Sequence, residues 1–271
     1  MSEARSLTGG AERIRAAFSG AGRPLFMPYV MGGYPDLAQS AALARAVAPH
    51  ADLIELGIPF SDPLADGATI QAAGQAALDA GTTPDDVIGL AADLRDGPPV
   101  VLMTYANVIL AAGMDDFMRR AGEAGVAGVI VPDVPVDEGD RLRAAARAHG
   151  LAVIPLAAPT TSDARLARIG AEAEGFVYCV SVAGVTGGDV AVDEVLQGFL
   201  ARVRRATDAP LAVGFGIRSA DQVAAVGRIA DGVIVASELI RRVQEAPDAD
   251  AGRAAAVAFA RDAQAALARR D

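Results

Sequence analysis

Apolar and polar positions alternate along the chain in two repeating patterns. Short runs of Val, Ile, Leu and Ala predict buried β-strands, because a strand covered on both faces, as in a parallel sheet, reads as a continuous apolar segment. Eight such runs occur, at residues 24–30, 51–58, 100–104, 128–131, 152–156, 175–180, 211–214 and 232–235.

A stretch with the apolar spacing of a helix follows each of these runs. The predicted helices cover residues 37–49, 68–80, 115–123, 138–148, 162–169, 192–204, 219–229 and 252–269. Two further helices are predicted, one ahead of the first strand at 11–19 and one after the second strand at 84–94, where Pro84 and two aspartates mark a helix start.

Eight strand-helix units favour an α/β fold, a single (β/α)₈ TIM barrel with an extra N-terminal helix and an extra helix after strand 2. An open, doubly wound sheet is the alternative, since strand counts from one sequence are off by one or two. No low-complexity linker interrupts the chain, so residues 1–271 are predicted to form one domain, with residues 1–10 flexible.

Composition narrows the functional classes. The net charge of −10 disfavours binding to nucleic acid, which requires a concentrated positive surface. No apolar run is long enough for a transmembrane helix, and the polar start predicts no secretory signal, so a cytoplasmic protein is expected. One cysteine and two histidines argue against a disulfide and a His-rich metal site, and the absence of lysine excludes a Schiff-base mechanism.

Three carboxylates in and after the second predicted strand are the first candidates for chemistry. Glu55 lies within the apolar run Leu53, Ile54, Leu56 and Ile58, which is expected to remove its hydration and raise its pKa. Asp62 and Asp66 follow in a loop that can return over the end of the strand. One acid in an apolar setting beside another in a wetter setting is a common acid/base arrangement.

Glycines follow the sixth and seventh predicted strands, at residues 184–188 and 214–216, and a helix start is predicted at Ser237 after the eighth strand. In a (β/α)₈ barrel, active sites lie at the carboxyl ends of the strands, and phosphate groups bind in the loops after strands 7 and 8. Backbone N–H groups of glycine loops and of a helix N-terminus suit a phosphate dianion, although glycines also serve plain turns.

The segment from Glu55 to Gly67 (ELGIPFSDPLADG) is very similar to the signature of the tryptophan synthase alpha subunit family. Matching motifs follow in the family's order over residues 25–270. They are Tyr105-Ala106-Asn107, Asp133-Val134-Pro135, Tyr178, the AGVTG sequence at 183–187 and the GFGI sequence at 214–217.

The resemblance implies a lyase of L-tryptophan biosynthesis that cleaves indole-3-glycerol phosphate by a retro-aldol reaction to indole and glyceraldehyde 3-phosphate. By correspondence, Glu55 is the general acid/base, and Asp66 accepts the indole N–H bond and must stay ionised. From local sequence alone, a structural ion pair remains the alternative for Glu55 and a turn residue before Gly67 the alternative for Asp66.

The resemblance also implies the remaining site residues. The substrate-binding positions are Tyr29, Ile70, Tyr105, Ile130, Tyr178 and Thr186. The phosphate-binding positions are Gly187, Gly216, Ala236 and Ser237. Thr186 and Asp133 are implied to form a closing contact between two loops. For the aliphatic residues, plain barrel core is the alternative, and His50, His149 and Cys179 match no functional position.

The family implies a partner, the tryptophan synthase beta subunit, which carries pyridoxal phosphate, in an alpha2beta2 tetramer. Pro59 and Asp62 are implied to face that partner, and this chain itself is expected to need no cofactor or metal. The chain departs from the family pattern at Ala236, where Gly is common, at Val182, where Arg is frequent, and in the loop at 31–35.

Two alternatives compete with this hypothesis. Another phosphate-binding barrel enzyme, such as a phosphoribosyl isomerase, uses paired aspartates on opposite strands, which the spacing of Glu55 and Asp66 disfavours. A protein that mainly binds and activates the beta subunit, with weak catalysis of its own, stays open.

Overall fold

The computed structural model describes residues 7–180, 194–214 and 216–268. Its sheet is made of parallel strands arranged in a ring. Nine strands lie in the order β5-β4-β3-β2-β1-β9-β8-β7-β6. Their bounds are β1 Leu25–Met31, β2 Ile54–Gly57, β3 Val100–Met103, β4 Gly128–Ile130, β5 Ala152–Ile154, β6 Leu156–Ala157, β7 Val177–Val180, β8 Leu211–Gly214 and β9 Gly232–Val235. The predicted (β/α)₈ barrel is confirmed.

The count of nine differs from the predicted eight because the fifth predicted strand is divided at Pro155. Before the proline, β5 pairs with β4, and after it, β6 pairs with β7. Proline has no N–H for a ladder hydrogen bond, but its carbonyl accepts from Tyr178 N at 3.0 Å. The divided strand therefore joins the two ends of the sheet and closes the ring.

Helices surround this ring. The described residues contain α1 Gly9–Gly20, α2 Leu37–Val47, α3 Ala68–Asp79, α4 Pro84–Asp93, α5 Ala106–Ala112, α6 Met114–Glu123, α7 Asp140–Ala148, α8 Asp163–Glu172, α9 Glu194–Ala206, α10 Ala220–Gly227, α11 Ser237–Gln244 and α12 Ala249–Ala268.

The two predicted extra helices are present as α1 and α4. Thr8 caps α1, and Thr83 forms a capping box with Asp86 at the start of α4. Helix α5 was not predicted, since its seven residues are too few for a clear periodic pattern. The single-domain prediction and the flexible start stay predictions.

Side chains of each strand alternate between two apolar layers. Residues such as Phe26, Val30 and Leu56 belong to the outer layer, between strands and helices. Residues such as Met27 and Ile130 belong to the inner layer, which fills the barrel. This alternation decides which side chains of each strand reach the interior and its mouth.

Candidate active site

Glu55 lies inside the barrel. Parallel pairing places it beside Tyr29 of β1 and Val101 of β3, so the three side chains share the interior face. Glu55 is 3% exposed. Its Oε2 atom has no hydrogen-bond partner among the residues that the structure describes. No structural ion pair at Glu55 is present in that part of the chain.

The apolar surroundings of Glu55 come largely from other strands. Of the four apolar residues near Glu55 in the sequence, Leu53 belongs to the inner layer, but Ile54, Leu56 and Ile58 belong to the outer layer. The expectation that all four surround the carboxyl was wrong for three of them, because alternate residues of a strand point to opposite faces.

Burial, together with the smaller effect of the nearby charge of Asp66, raises the pKa of Glu55 to about 8. At neutral pH the carboxyl is therefore mostly protonated. A buried acid with this pKa both donates and accepts a proton within the physiological range.

Asp66 lies in the loop between β2 and α3, where Tyr105 holds it. The phenol of Tyr105 donates a hydrogen bond to the Asp66 carboxylate and accepts one from Ala65 N at 3.2 Å. The amide of Gln71 donates to the backbone oxygen of Asp66 at 2.9 Å. Phe60 stacks on the ring of Tyr105, with centroids 5.1 Å apart.

The pKa of Asp66 is raised to about 6, because partial burial outweighs the hydrogen bond from Tyr105, which lowers it. At pH 7 Asp66 is mostly ionised while Glu55 is mostly protonated. The protonated Glu55 can therefore act as an acid, and the ionised Asp66 can stabilise a positive charge.

Tyr29 and Tyr178 reach the same interior region as the two acids. Burial raises the pKa of both phenols well above the ordinary value, and the charges of Glu55 and Asp66 add to this effect. Two glycines make room for the rings: a Cβ at Gly57 would overlap the hydroxyl of Tyr29, and a Cβ at Gly214 would overlap that of Tyr178. Because their pKa values are raised, both hydroxyls stay neutral and can donate hydrogen bonds.

The predicted apolar residues lie around this region. Ile130 is 1% exposed in the inner layer, and Ile70, in the first turn of α3, packs against that layer. Sequence reasoning missed Phe60 and Leu156. Leu156 pairs with Tyr178 across β6 and β7. Its position in the fifth predicted strand, where alternate residues face the inner layer, could have identified it.

The predicted phosphate loops lie at neighbouring strand ends, since β8 pairs with β9. Helix α11 begins at Ser237, as predicted, and Ala236 precedes it with no capping side chain among the described residues. The φ of Ala236 is −113°, so the common Gly is not required there. Gly216 has a φ of +71°, which favours glycine.

Two predicted site residues, Thr186 and Gly187, and the departure Val182 lie outside the described residues. Asp133, the implied partner of Thr186, accepts hydrogen bonds from Ala106 N at 3.0 and 3.2 Å. It thereby caps the start of α5, where an acidic group is favourable.

The candidate partner loop runs over the surface beyond Pro59. Asp62 is exposed and accepts a hydrogen bond from the Ser61 hydroxyl at 2.5 Å, and Leu64 is 93% exposed. Pro59 itself is buried. Of the two predicted interface residues, only Asp62 presents its side chain at the surface, and the interface stays a prediction.

Within the described ranges, no group of three or more potential metal ligands occurs. No helix in those ranges is long and apolar enough to cross a membrane.

The raised pKa of Glu55 predicts a pH-dependent stability. Between about pH 4.5 and pH 8 the folded chain keeps the Glu55 proton, which the unfolded chain loses. The stability that comes from holding this proton is therefore complete below about pH 4.5 and is lost as the pH rises to about 8. We expect Glu55→Gln to gain stability relative to the wild type over this window, by an amount on the order of 5 kcal/mol. Urea unfolding of both proteins across this range measures it, and a pH-independent difference would contradict the pKa assignment.

Comparisons with known proteins agree with the sequence resemblance. The family model described as tryptophan synthase alpha chain matches residues 16–268. The tryptophan synthase alpha chain of Carboxydothermus hydrogenoformans is 46% identical over 226 residues, which are 82% of this chain and 85% of that protein. The one from a Roseiflexus species is 49% identical over 84% of this chain and 88% of that protein.

Solved structures match along nearly the whole chain. A chain of Mycobacterium tuberculosis tryptophan synthase superimposes with a TM-score of 0.88 at 34% identity, covering 98% of this chain and 100% of that one. The tryptophan synthase alpha chain of Legionella pneumophila gives a TM-score of 0.87 at 33% identity, covering 97% and 98%.

Proposed function

Because the chain belongs to the tryptophan synthase alpha chain family, we propose that it cleaves indole-3-glycerol phosphate to indole and glyceraldehyde 3-phosphate in L-tryptophan biosynthesis. One observation carries the proposed chemistry. A buried, mostly protonated Glu55 and a mostly ionised Asp66 share the mouth of one barrel. A retro-aldol cleavage needs this combination of a proton donor and a fixed negative charge.

Glu55 performs the proton transfers. The bond between indole C3 and the glycerol carbon breaks after C3 accepts a proton, which moves positive charge to N1. The Glu55 carboxyl, with its pKa of about 8, supplies this proton. Its carboxylate then takes the proton of the glycerol hydroxyl, whose carbon becomes the aldehyde, while the electron pair of the broken bond returns to the indole ring.

Asp66 accepts the indole N–H bond and stabilises the positive charge at N1. Its pKa of about 6 leaves it mostly ionised at pH 7, as this role requires. The hydrogen bond from Tyr105 and the one from Gln71 to the backbone of Asp66 fix its position. Tyr29, Ile70, Ile130 and Tyr178 surround the indole ring.

The phosphate binds at the start of α11 and in the loop after β8. The first N–H groups of α11 point out of the helix and carry its positive dipole end, and Gly216, Ala236 and Ser237 contribute backbone donors. Gly187 and Thr186 complete the contacts to the substrate in this proposal.

Replacing Ser237 by Asp is expected to raise KM for indole-3-glycerol phosphate by about tenfold or more, since the new carboxylate repels the phosphate dianion. Ser237→Ala is the matched control, because it keeps every backbone N–H group and is expected to change KM much less. Steady-state kinetics of both variants measure the effect, and an unchanged KM in Ser237→Asp would remove the phosphate site from this position.

The partner in this proposal is the tryptophan synthase beta subunit, in an alpha2beta2 tetramer in the cytoplasm. The surface loop with Asp62, which continues from the buried Pro59, contacts it. Pyridoxal phosphate belongs to that partner, and this chain works without a cofactor or metal of its own.

An assay of indole release from indole-3-glycerol phosphate, with and without a beta subunit, tests the proposed function. We expect release by the isolated chain and a higher rate with the partner. No release under either condition would contradict the proposal. Stimulation of the partner without indole release would instead support the alternative, a protein that mainly binds and activates the beta subunit.

A further inference from the structure

Glu238 is a buried acid beside the proposed phosphate site. It is the second residue of α11, directly after Ser237, and only 1% of its surface is exposed. Its backbone N–H belongs to the first turn of the helix, whose N–H groups have no acceptor within the helix and can bind an anion. Its side chain is a carboxylate. The same turn therefore offers donors to a phosphate and carries a group that repels one.

An unpaired carboxylate at this position would weaken phosphate binding. The positive end of a helix dipole amounts to about half an elementary charge, which a full negative charge in the first turn would more than cancel. Water and salt screen a buried charge poorly. A phosphate at the start of α11 therefore requires that Glu238 be neutralised from within the protein.

Two arginines of the same helix neutralise Glu238. Arg241 donates from Nη2 to both carboxylate oxygens, at 2.9 and 2.7 Å, and from Nε to Oε2 at 3.1 Å. Arg242 donates from Nε to Oε1 at 2.7 Å. Helical side chains lean toward the N-terminus, so residues three and four positions later reach the first turn. Both contacts are charge-assisted, the stronger kind of hydrogen bond.

Further contacts hold the two arginines in place. The guanidinium group of Arg242 lies over the ring of Phe259 in α12, 4.8 Å from its centroid, which is a cation-π arrangement. Arg241 also donates to the exposed Glu245 at 2.7 Å. Both arginines are partly exposed, whereas the side chain of Glu238 is fully buried. Water reaches the arginines and not the carboxylate, so the guanidinium groups are what neutralise it.

We propose that Arg241 and Arg242 are positioning residues of the phosphate site. Through Glu238 they set the charge at the start of α11, and thereby the affinity for the phosphorylated substrate. Neither arginine touches the substrate, because both act from the second turn of the helix. This inference rests on the proposed function, since it takes the phosphate of indole-3-glycerol phosphate to bind at α11.

Replacing Arg241 by Gln is expected to raise KM for indole-3-glycerol phosphate by about fivefold or more, because Glu238 is then only partly neutralised. The change in kcat is expected to stay below about twofold, since Glu55 and Asp66 are untouched. Steady-state kinetics of the isolated chain measure both values. Calorimetric titration with glyceraldehyde 3-phosphate, expected to show the same weakening, reports phosphate binding without catalysis.

Arg119→Gln is the matched control. Arg119 also pairs with acids three positions before and four positions after it, Asp116 and Glu123, but both are exposed side chains of α6. The two variants lose the same charge from the same kind of contact. Arg119→Gln is expected to leave KM and kcat unchanged.

Adding Glu238→Gln to Arg241→Gln is expected to return KM to within about twofold of the wild-type value, because the charge that repels the phosphate is then gone. A purely structural role of the cluster predicts the opposite result, a further loss, since a second member of the cluster is removed. The direction of the change therefore separates the two roles.

Glu238→Gln alone provides the test if Arg241→Gln does not fold. It removes the acid and keeps both arginines, so KM is expected to fall by about twofold or more. An unchanged KM in Arg241→Gln, no recovery in the double variant, or an unchanged or raised KM in Glu238→Gln would overturn the proposal while indole release by the wild type still supports the proposed function. No indole release by the wild type would contradict the proposed function itself.

Discussion

Replacing Glu55 by Gln is expected to lower kcat for indole release by roughly 10²–10⁴-fold, the usual contribution of general acid/base catalysis. Glutamine has nearly the same shape, so it fills the interior position beside Tyr29 and Val101 without opening a cavity. It cannot exchange the proton that indole C3 needs. Steady-state assays of the isolated chain measure the loss, and thermal unfolding reports whether the fold is kept.

The control for this experiment lies in the same segment. Asp62→Asn removes an exposed carboxylate seven positions further along the chain, and in the absence of a partner it is expected to leave indole release nearly unchanged. If Glu55→Gln retained full activity, or if Asp62→Asn lost as much, the assignment of Glu55 as the acid would be wrong.

Replacing Asp66 by Asn is expected to lower kcat by roughly 10²–10³-fold, the loss seen when a fixed group that stabilises transition-state charge is removed. The side-chain oxygen of Asn still accepts the hydrogen bonds of Tyr105 and of the indole N–H, but it brings no negative charge to N1. The reduced rate therefore measures the contribution of the negative charge to catalysis, separately from that of the hydrogen bonds.

The same variant carries a second readout. The charge of Asp66 contributes to the raised pKa of Glu55, so its removal is expected to lower that pKa below about 8. The basic limb of the pH–rate profile should move to lower pH. A profile that stays in place, together with an unchanged kcat, would show that Asp66 is only the turn residue that local sequence permits.

Sequence reasoning succeeded where residues close together in the chain determine the structure. The apolar strand around Glu55, the helix start at Ser237 and the eight strand-helix units are all local patterns, and the structure has them. It failed where partners come from distant segments. The interior neighbours of Glu55, the glycines that admit Tyr29 and Tyr178, and the bond between Asp133 and Ala106 depend on which strands are adjacent.

The division of the fifth predicted strand shows the same limit. Pro155 is visible in the sequence, but its effect depends on the change of pairing partner from β4 to β7 that closure of the ring requires. Ala236 is the reverse case: the sequence has Ala where the family commonly has Gly, and its φ of −113° shows that this position does not require glycine.

The two hydrogen bonds of the Tyr105 phenol have a consequence for engineering substrate scope. The same side chain forms part of the proposed indole pocket and holds both Ala65 N and the Asp66 carboxylate. A smaller residue at 105 would enlarge the pocket and release the acid in one step, so selectivity and rate cannot be tuned separately there. At Ile70 and Ile130, whose side chains carry no polar group, the pocket can be reshaped while the acid stays fixed.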